Sequence, residues 1–279
     1  MQRLTRILAG PAIVGLMAAL AACTVDSRST ASTDGDTIKI GVTFDQPGLG
    51  WKAPAGAADP TGFDIEVARY VAHDLGYSDV KFVEAPTAER ETMIEEDKVD
   101  LVIAAYSITD ARKKLVSFAG PYLVAGQDLL VPVNSDVTGP DALNGRTVCS
   151  VSQSTAAQKI KDDYSKDVHL QEAETYAQCI DSLTAGAVDA VTADNVILAG
   201  YASQPQYAGK LKVVGEPFST ERYGVGLKLG DVGLCTRVNE ALTRMISSGE
   251  WQQAFDRTLG VAGFVPDPAE NPPTLDACT

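Results

Sequence analysis

The sequence predicts an α/β protein of two similar lobes joined by two short crossings. Three observations carry this. Strand and helix patterns alternate along the body of the chain, which implies sheets covered by helices on both faces. The segment Val188-Asp189-Ala-Val-Thr-Ala193 repeats Val99-Asp100-Leu-Val-Ile-Ala104 at four of six positions. Two short polar stretches, around Asn134-Ser135-Asp136 and Glu216-Pro217-Phe218, separate the repeated units and suit a hinge.

The elements follow in order. Ile38, Ile40, Val42 and Phe44 alternate at period two, as a half-buried strand does. Phe63, Val67, Val71 and Leu75 recur at i+4, an amphipathic helix. Val80 to Val83 is a second strand. Thr87 is a candidate N-cap for a helix running to about Asp97. The apolar run Val99–Ala104 suits a buried parallel strand. Leu129 to Val133 reads as a strand leaving the first lobe, and Arg146 to Val214 as the second unit. Tyr223 to Leu227 returns to the first lobe, and helices at about Asp231–Ser248 and Trp251–Leu259 complete it. The boundaries are therefore 37–131 and 222–263 for lobe 1, 132–221 for lobe 2, and 264–279 for a Pro-rich tail. The two copies of the repeated strand lead into polar residues, Tyr106-Ser107-Ile108-Thr109 and Asp194-Asn195. Ligands of open α/β sheets bind beyond the carboxyl ends of their strands, so these clusters are the expected site.

Composition excludes more than it selects. The chain has 279 residues, is 45% hydrophobic, and carries a formal charge of −14. No run of Lys and Arg reaches four residues, so clustered positive charge for nucleic acid is missing. Only His73 and His169 are available for a His-based zinc site or a His-dependent triad. There is no GxSxG or P-loop pattern. Ser78-Asp79-Val80-Lys81 fits Ser-x-x-Lys, but at a helix-to-strand turn away from the expected cleft.

Residues 1–22 read as an address. Arg3 and Arg6 precede an apolar stretch, Ile7–Ala22, that ends Leu20-Ala21-Ala22-Cys23. This is an export signal, too short for a good membrane span. The Cys after Leu-Ala-Ala resembles a bacterial lipobox, which implies lipidation of Cys23 with palmitate and anchoring on the outer face of the cytoplasmic membrane. Residues 23–36, rich in Ser, Thr, Asp and Gly, read as a flexible tether. Export makes Cys149, Cys179, Cys235 and Cys278 candidates for disulfides, with three possible pairings. Cys149 and Cys179 fall about 30 residues apart in one lobe, and Cys278 ends a tail with little means of packing itself. The preferred pairing is Cys149–Cys179 and Cys235–Cys278, the second clipping the tail down.

Three ordered motifs carry a family resemblance. They are Gly62-Phe63-Asp64-Ile65-Glu66-Val67, the segment Asp100–Arg112 followed by Phe118 and Gly120-Pro121-Tyr122, and Gly249-Glu250-Trp251. Together they resemble the polar amino-acid solute-binding proteins of ABC importers (family 3), from about Thr37 to Gly260. The phrases Asp45-Gln46-Pro47-Gly48-Leu49-Gly50, Arg90-Glu91-Thr92, Cys149-Ser150-Val151-Ser152 and Tyr223-Gly224 resemble most the glutamate-binding lipoproteins of high-G+C Gram-positive bacteria. The resemblance implies a type II periplasmic-binding-protein clamp that closes on a free amino acid, as a monomer without cofactor or metal. It would deliver that ligand to ABC permease subunits.

Site residues are implied position by position. Arg112 matches the arginine that takes the α-carboxylate, for which a planar fork is better suited than Lys. Ser107 matches a carboxylate-binding hydroxyl, and the Ala105 carbonyl an acceptor for the ammonium. Asp194 matches the ammonium-pairing acid of the second lobe. Ser154 and Thr155 match a loop at a helix start, which favours an anion. Arg90, with Thr87 three residues before it, resembles the dicarboxylate binders, which use Ser/Thr and Arg for the distal carboxylate. The alternative for Arg90 is an exposed arginine paired with Glu91 or Glu95. One departure stands out: where glutamine and basic-amino-acid binders place an aromatic, this chain has Asp45-Gln46-Pro47, so Phe44, Trp51 or Tyr106 would have to substitute. The implied ligand is L-glutamate, then L-aspartate. Two other functions fit the same fold, an amino-acid sensor signalling through a membrane partner and a cyclohexadienyl dehydratase-like enzyme. The enzyme would need a general acid in the cleft, and no motif identifies one.

Overall fold

A computed structural model describes residues 37–53, 59–164 and 168–279. The export signal, Cys23 and the whole of the tether, residues 23–36, lie outside the described residues. The first half contains β1 (Thr37–Val42), β2 (Asp45–Gln46), β3 (Gly50–Trp51), α1 (Phe63–Asp74), β4 (Asp79–Glu84), α2 (Arg90–Glu95), β5 (Leu101–Val102) and β6 (Val116–Ala125). The chain then builds β7 (Gln127–Pro132), β8 (Thr147–Val151), α3 (Thr155–Lys159), β9 (His169–Ala173), α4 (Tyr176–Thr184), β10 (Ala190–Asp194), α5 (Asn195–Ala202) and β11 (Leu211–Val213). It returns through β12 (Glu221–Lys228), α6 (Val232–Ser247) and α7 (Glu250–Phe255).

Two five-stranded sheets share one plan. The first has the order β4-β1-β5-β12-β6 and the second β11-β7-β10-β8-β9. In each, three strands run parallel (β4, β1, β5 and β9, β8, β10) and the next is antiparallel to them (β12 and β7). The repeated sequence therefore marks equivalent strands, β5 and β10. Its two aspartates do the same work. Asp100 Oδ2 accepts from the Lys39 amide and Asp189 Oδ2 from the Thr147 amide, each at 2.8 Å, tying the third parallel strand to the first.

The antiparallel strand of each sheet arrives directly from the other half, and this moves one boundary. Strand β7 pairs with β10 and β11, so it belongs to the second lobe and not, as expected, to a first lobe ending at residue 131. The first crossing is Gly126. The apolar triplets Leu123–Ala125 and Leu129–Val131 are separated only by Gly126, Gln127 and Asp128, a break too short for a hydropathy reading to place the switch. Glycine is required there: a Cβ on Gly126 would lie 2.7 Å from the Ser219 carbonyl oxygen of the second crossing. The crossings are also joined by Glu221, whose carboxylate accepts from Gln127 Nε2 (2.8 Å) and Ser219 Oγ (3.0 Å).

Disulfides join Cys149 to Cys179 and Cys235 to Cys278. The tail is held by more than its disulfide. Asn271 accepts from the Val124 amide at 2.9 Å and donates to the Val124 carbonyl at 3.0 Å, and the Asp276 amide donates to Gly120 O. Two local expectations differ. Residues 86–89 form a turn closed by Glu89 N to Pro86 O, so α2 starts at Arg90 and Thr87 makes no cap. The expected Val99–Ala104 strand is regular only at Leu101–Val102, flanked by Asp100 N to Lys39 O and Ile103 N to Gly41 O, before the chain turns away at Ala105, whose φ is +46°.

Candidate functional site

A cavity lies at the carboxyl ends of β5 and β10. It is lined by Thr87, Arg90, Ala105, Ser107 and Arg112 from one half and Ser154, Thr155 and Asp194 from the other. These are eight of the residues expected from sequence. Gln46, Tyr176 and Ile197 complete the wall and were not expected.

The first-half wall depends on an unusual backbone. Asp64, fully buried on α1, accepts from the Ala105 amide and from Tyr122 Oη, both at 2.8 Å. That amide–carboxylate bond supports the left-handed conformation of Ala105, which an alanine adopts only when its surroundings enforce it. Burial raises the Asp64 pKa to about 6. The motif that contains Asp64 thus shapes the site from behind without lining it.

Both arginines rest on one ring. The guanidinium carbons of Arg90 and Arg112 lie 5.4 and 4.9 Å from the Tyr106 centroid. Tyr106 is therefore a platform and not, as expected, a ligand contact. It is fully buried among Ile94, Val102 and Ala104, because the turn at Ala105 sends its ring into the core behind the cavity. Its hydroxyl donates to Glu91 Oε1 at 2.7 Å. Arg112 is positioned by Nη1 to Ser107 O at 2.9 Å, with Glu91 3.6 Å from its Nε.

Arg90 differs sharply. It is 2% exposed, its Nε donates to Ala85 O at 3.3 Å, and no carboxylate comes within 4.0 Å of it among the described residues. Burial and the neighbouring Arg112 both lower its pKa. It is thus no exposed partner of Glu91 or Glu95. A buried charge without a counter-ion is costly, and the arrangement is unbalanced until an anion enters.

The second half presents the opposite imbalance. Asp194 is 5% exposed, accepts from Tyr223 Oη, and has no ion pair among the described residues. Burial, then the Glu221 carboxylate, raise its pKa to about 8, against the pull of the Tyr223 hydrogen bond and the two arginines. Ser154 caps α3 through the Ala157 amide at 3.0 Å, and Thr155 Oγ1 donates to Glu221 Oε2 at 3.0 Å.

The halves meet around the cavity. Asp45 Oδ2 accepts from the Tyr176 amide at 2.9 Å, which places a first-half carboxylate on the start of α4. Tyr201 Oη donates to the Asp45 carbonyl. Gly200 allows this approach: a Cβ there would sit 2.0 Å from the Pro47 oxygen. Phe44 lines only an adjoining cavity, and Trp51 and Tyr106 line neither; the aromatic on this cavity's wall is Tyr176, supplied by the second half. Its signal was too weak to find, a single aromatic opening a helix.

Two sheets of one plan, two crossings and a cavity between them, lined by a buried guanidinium and a buried carboxyl that both lack an ion partner among the described residues, define a two-lobed periplasmic-binding-protein clamp. The chain belongs to the bacterial extracellular solute-binding proteins, family 3, whose family model matches residues 38–261. It is 40% identical to the glutamate-binding protein GluB of Corynebacterium glutamicum, over 92% of this chain and 90% of that one. It is 33% identical to the glutamine-binding protein GlnH of Bacillus subtilis, over 86% and 85%. An ancestral arginine-binding protein bound to glutamine superposes with a TM-score of 0.74 at 31% identity, covering 81% of this chain and 98% of that structure. Among the described residues no helix is long and apolar enough to cross a membrane.

Proposed function

We propose that the chain captures a free acidic amino acid, glutamate first and aspartate next, and hands it to an ABC importer while anchored through lipidated Cys23. The observation that carries the ligand is Arg90, a buried guanidinium lining the cavity with no carboxylate partner among the described residues. Arg112 takes the α-carboxylate, assisted by Ser107. Asp194 and the Ala105 carbonyl take the ammonium. Arg90 and Thr87 take the distal carboxylate. Ser154 and Thr155 close the anion end from the second lobe. The likeness to a glutamate-binding relative supports this ligand, and the likeness to a glutamine-binding one names its nearest competitor.

Binding, without turnover, accounts for the site. Charge-assisted hydrogen bonds contribute about 1.5–3 kcal/mol each, and glutamine offers Arg90 a neutral amide, losing about one such bond. Titration calorimetry with glutamate, aspartate and glutamine tests this. Wild type should prefer glutamate, Arg90→Ala should narrow the preference over glutamine, and Arg112→Ala should abolish binding of all three. A wild-type preference for glutamine sinks the role of Arg90, and normal binding by Arg112→Ala sinks the site as a whole.

A further inference from the structure

Gln46 has no expected role, yet it is 2% exposed and lines the cavity. Neither end of its carboxamide has a hydrogen-bond partner among the described residues, and its Oε1 is fully buried. One other buried side-chain oxygen lacks a partner among those residues, that of Gln127, and it lies at the crossing and not on the cavity wall. A buried amide left unsatisfied is costly, so an unpaired one facing a binding cavity marks a place where the ligand completes it.

Its position selects which part of the ligand that is. A second cavity adjoins the first and shares with it Gln46, Thr87 and Tyr176. That second cavity is also lined by Ala85, whose carbonyl fixes Arg90. Arg90, Ser107, Arg112 and Asp194 line only the first. Among the residues assigned to the ligand, Thr87 is the one that shares both cavities with Gln46, and Thr87 is assigned with Arg90 to the distal carboxylate. Its backbone is fixed there by Leu49 N to Gln46 O at 3.1 Å, and by Asp45 beside it, held on α4 of the opposite half.

We infer that Gln46 is a specificity-determining residue that reads the distal group of the ligand's side chain. Arg90 can only donate. A carboxamide can do either, because its two orientations are nearly the same shape. With Nε2 turned inward it donates to a carboxylate, and with Oε1 inward it accepts from a terminal amide. Gln46 thus completes a carboxylate and a terminal amide alike, which a side chain that only accepts would not do. This rests on the reading of the cavity as a free-amino-acid site.

The test is calorimetry of wild type, Gln46→Met and Gln46→Glu with glutamate and glutamine, with melting curves of the ligand-free proteins to confirm folding. Gln46→Met keeps the volume but cannot bond, and should weaken both ligands by about 10-fold. Gln46→Glu can accept but not donate, and should weaken glutamate about 100-fold more than glutamine. An unchanged glutamate-to-glutamine ratio in Gln46→Glu overturns the inference, and so does equal tightening of both ligands, which would place residue 46 at the ammonium. If Gln46→Glu melts far below wild type, Gln46→Met decides: no loss for either ligand overturns it. If wild type binds neither ligand, the amino-acid reading falls and this inference with it. Wild-type binding with an unmoved ratio removes the inference alone.

Discussion

Ligand binding should expel a proton from Asp194. With its pKa raised to about 8 by burial and by Glu221, the empty cavity holds this carboxyl mostly neutral at pH 7, about nine molecules in ten. An ammonium docked against it favours the charged form and returns the pKa toward the ordinary 3.8. Bound protein then carries fewer protons than free protein, so affinity must rise with pH until about pH 8 and level off above it. For a shift of that size, the gain between pH 6 and pH 8 is about 50-fold. The same group opposes folding as pH rises: its raised pKa contributes stability that is complete below 3.8 and lost as pH climbs through about 8. A ligand should therefore raise the melting temperature more at pH 8 than at pH 6. Calorimetry at pH 7 in two buffers of different ionisation enthalpy should give about 0.9 proton released per ligand. Asp194→Asn should release none and give a flat profile over the same range. Asp64 also titrates near pH 6 but does not line the cavity, so subtracting the variant's profile isolates Asp194. A flat wild-type profile with no proton released would refute the pairing of Asp194 with the ammonium.

Two further outcomes test the anchor and the tail. Cys23→Ala should release the protein from membranes or block its maturation; retention on membranes with no acyl group by mass spectrometry counts against lipidation. Cys278→Ser removes the Cys235 link over a separation of 43 residues and should destabilise the protein by about 2–4 kcal/mol in urea unfolding. An unchanged midpoint would mean that Asn271 and Asp276 hold the tail unaided.

Much of the site was legible because strand ends are legible. The repeated Val-Asp-x-Val-x-Ala run marks β5 and β10, and the polar residues that follow each run fall on the cavity, Ser107 after one and Asp194 ending the other. Arg90, Arg112 and Thr87 came from a resemblance over contiguous motifs. Tyr106 was misjudged because its neighbour Ala105 leaves the strand, and nothing local in Ala-Ala-Tyr-Ser announces a positive φ. Gln46 and Tyr176 went unseen because each belongs to a wall built from elements far apart in sequence. They meet only where Asp45 accepts from the first amide of α4, across 131 residues.

The sequence by itself determined the α/β class, the twofold plan and most of the charged groups that line the cavity. These are properties of period, composition and local spacing, and such patterns are written in neighbouring residues. Only the tertiary structure decided where one lobe gives way to the other, because β6 and β7 follow each other with Gly126 alone between them while their pairing partners, β12 and β10, lie far along the chain. It also decided which charges lack partners. Whether Arg90 is an exposed cation or a buried one awaiting an anion depends on burial and on the absence of a nearby carboxylate, and those are properties of the packed molecule, not of any segment of it.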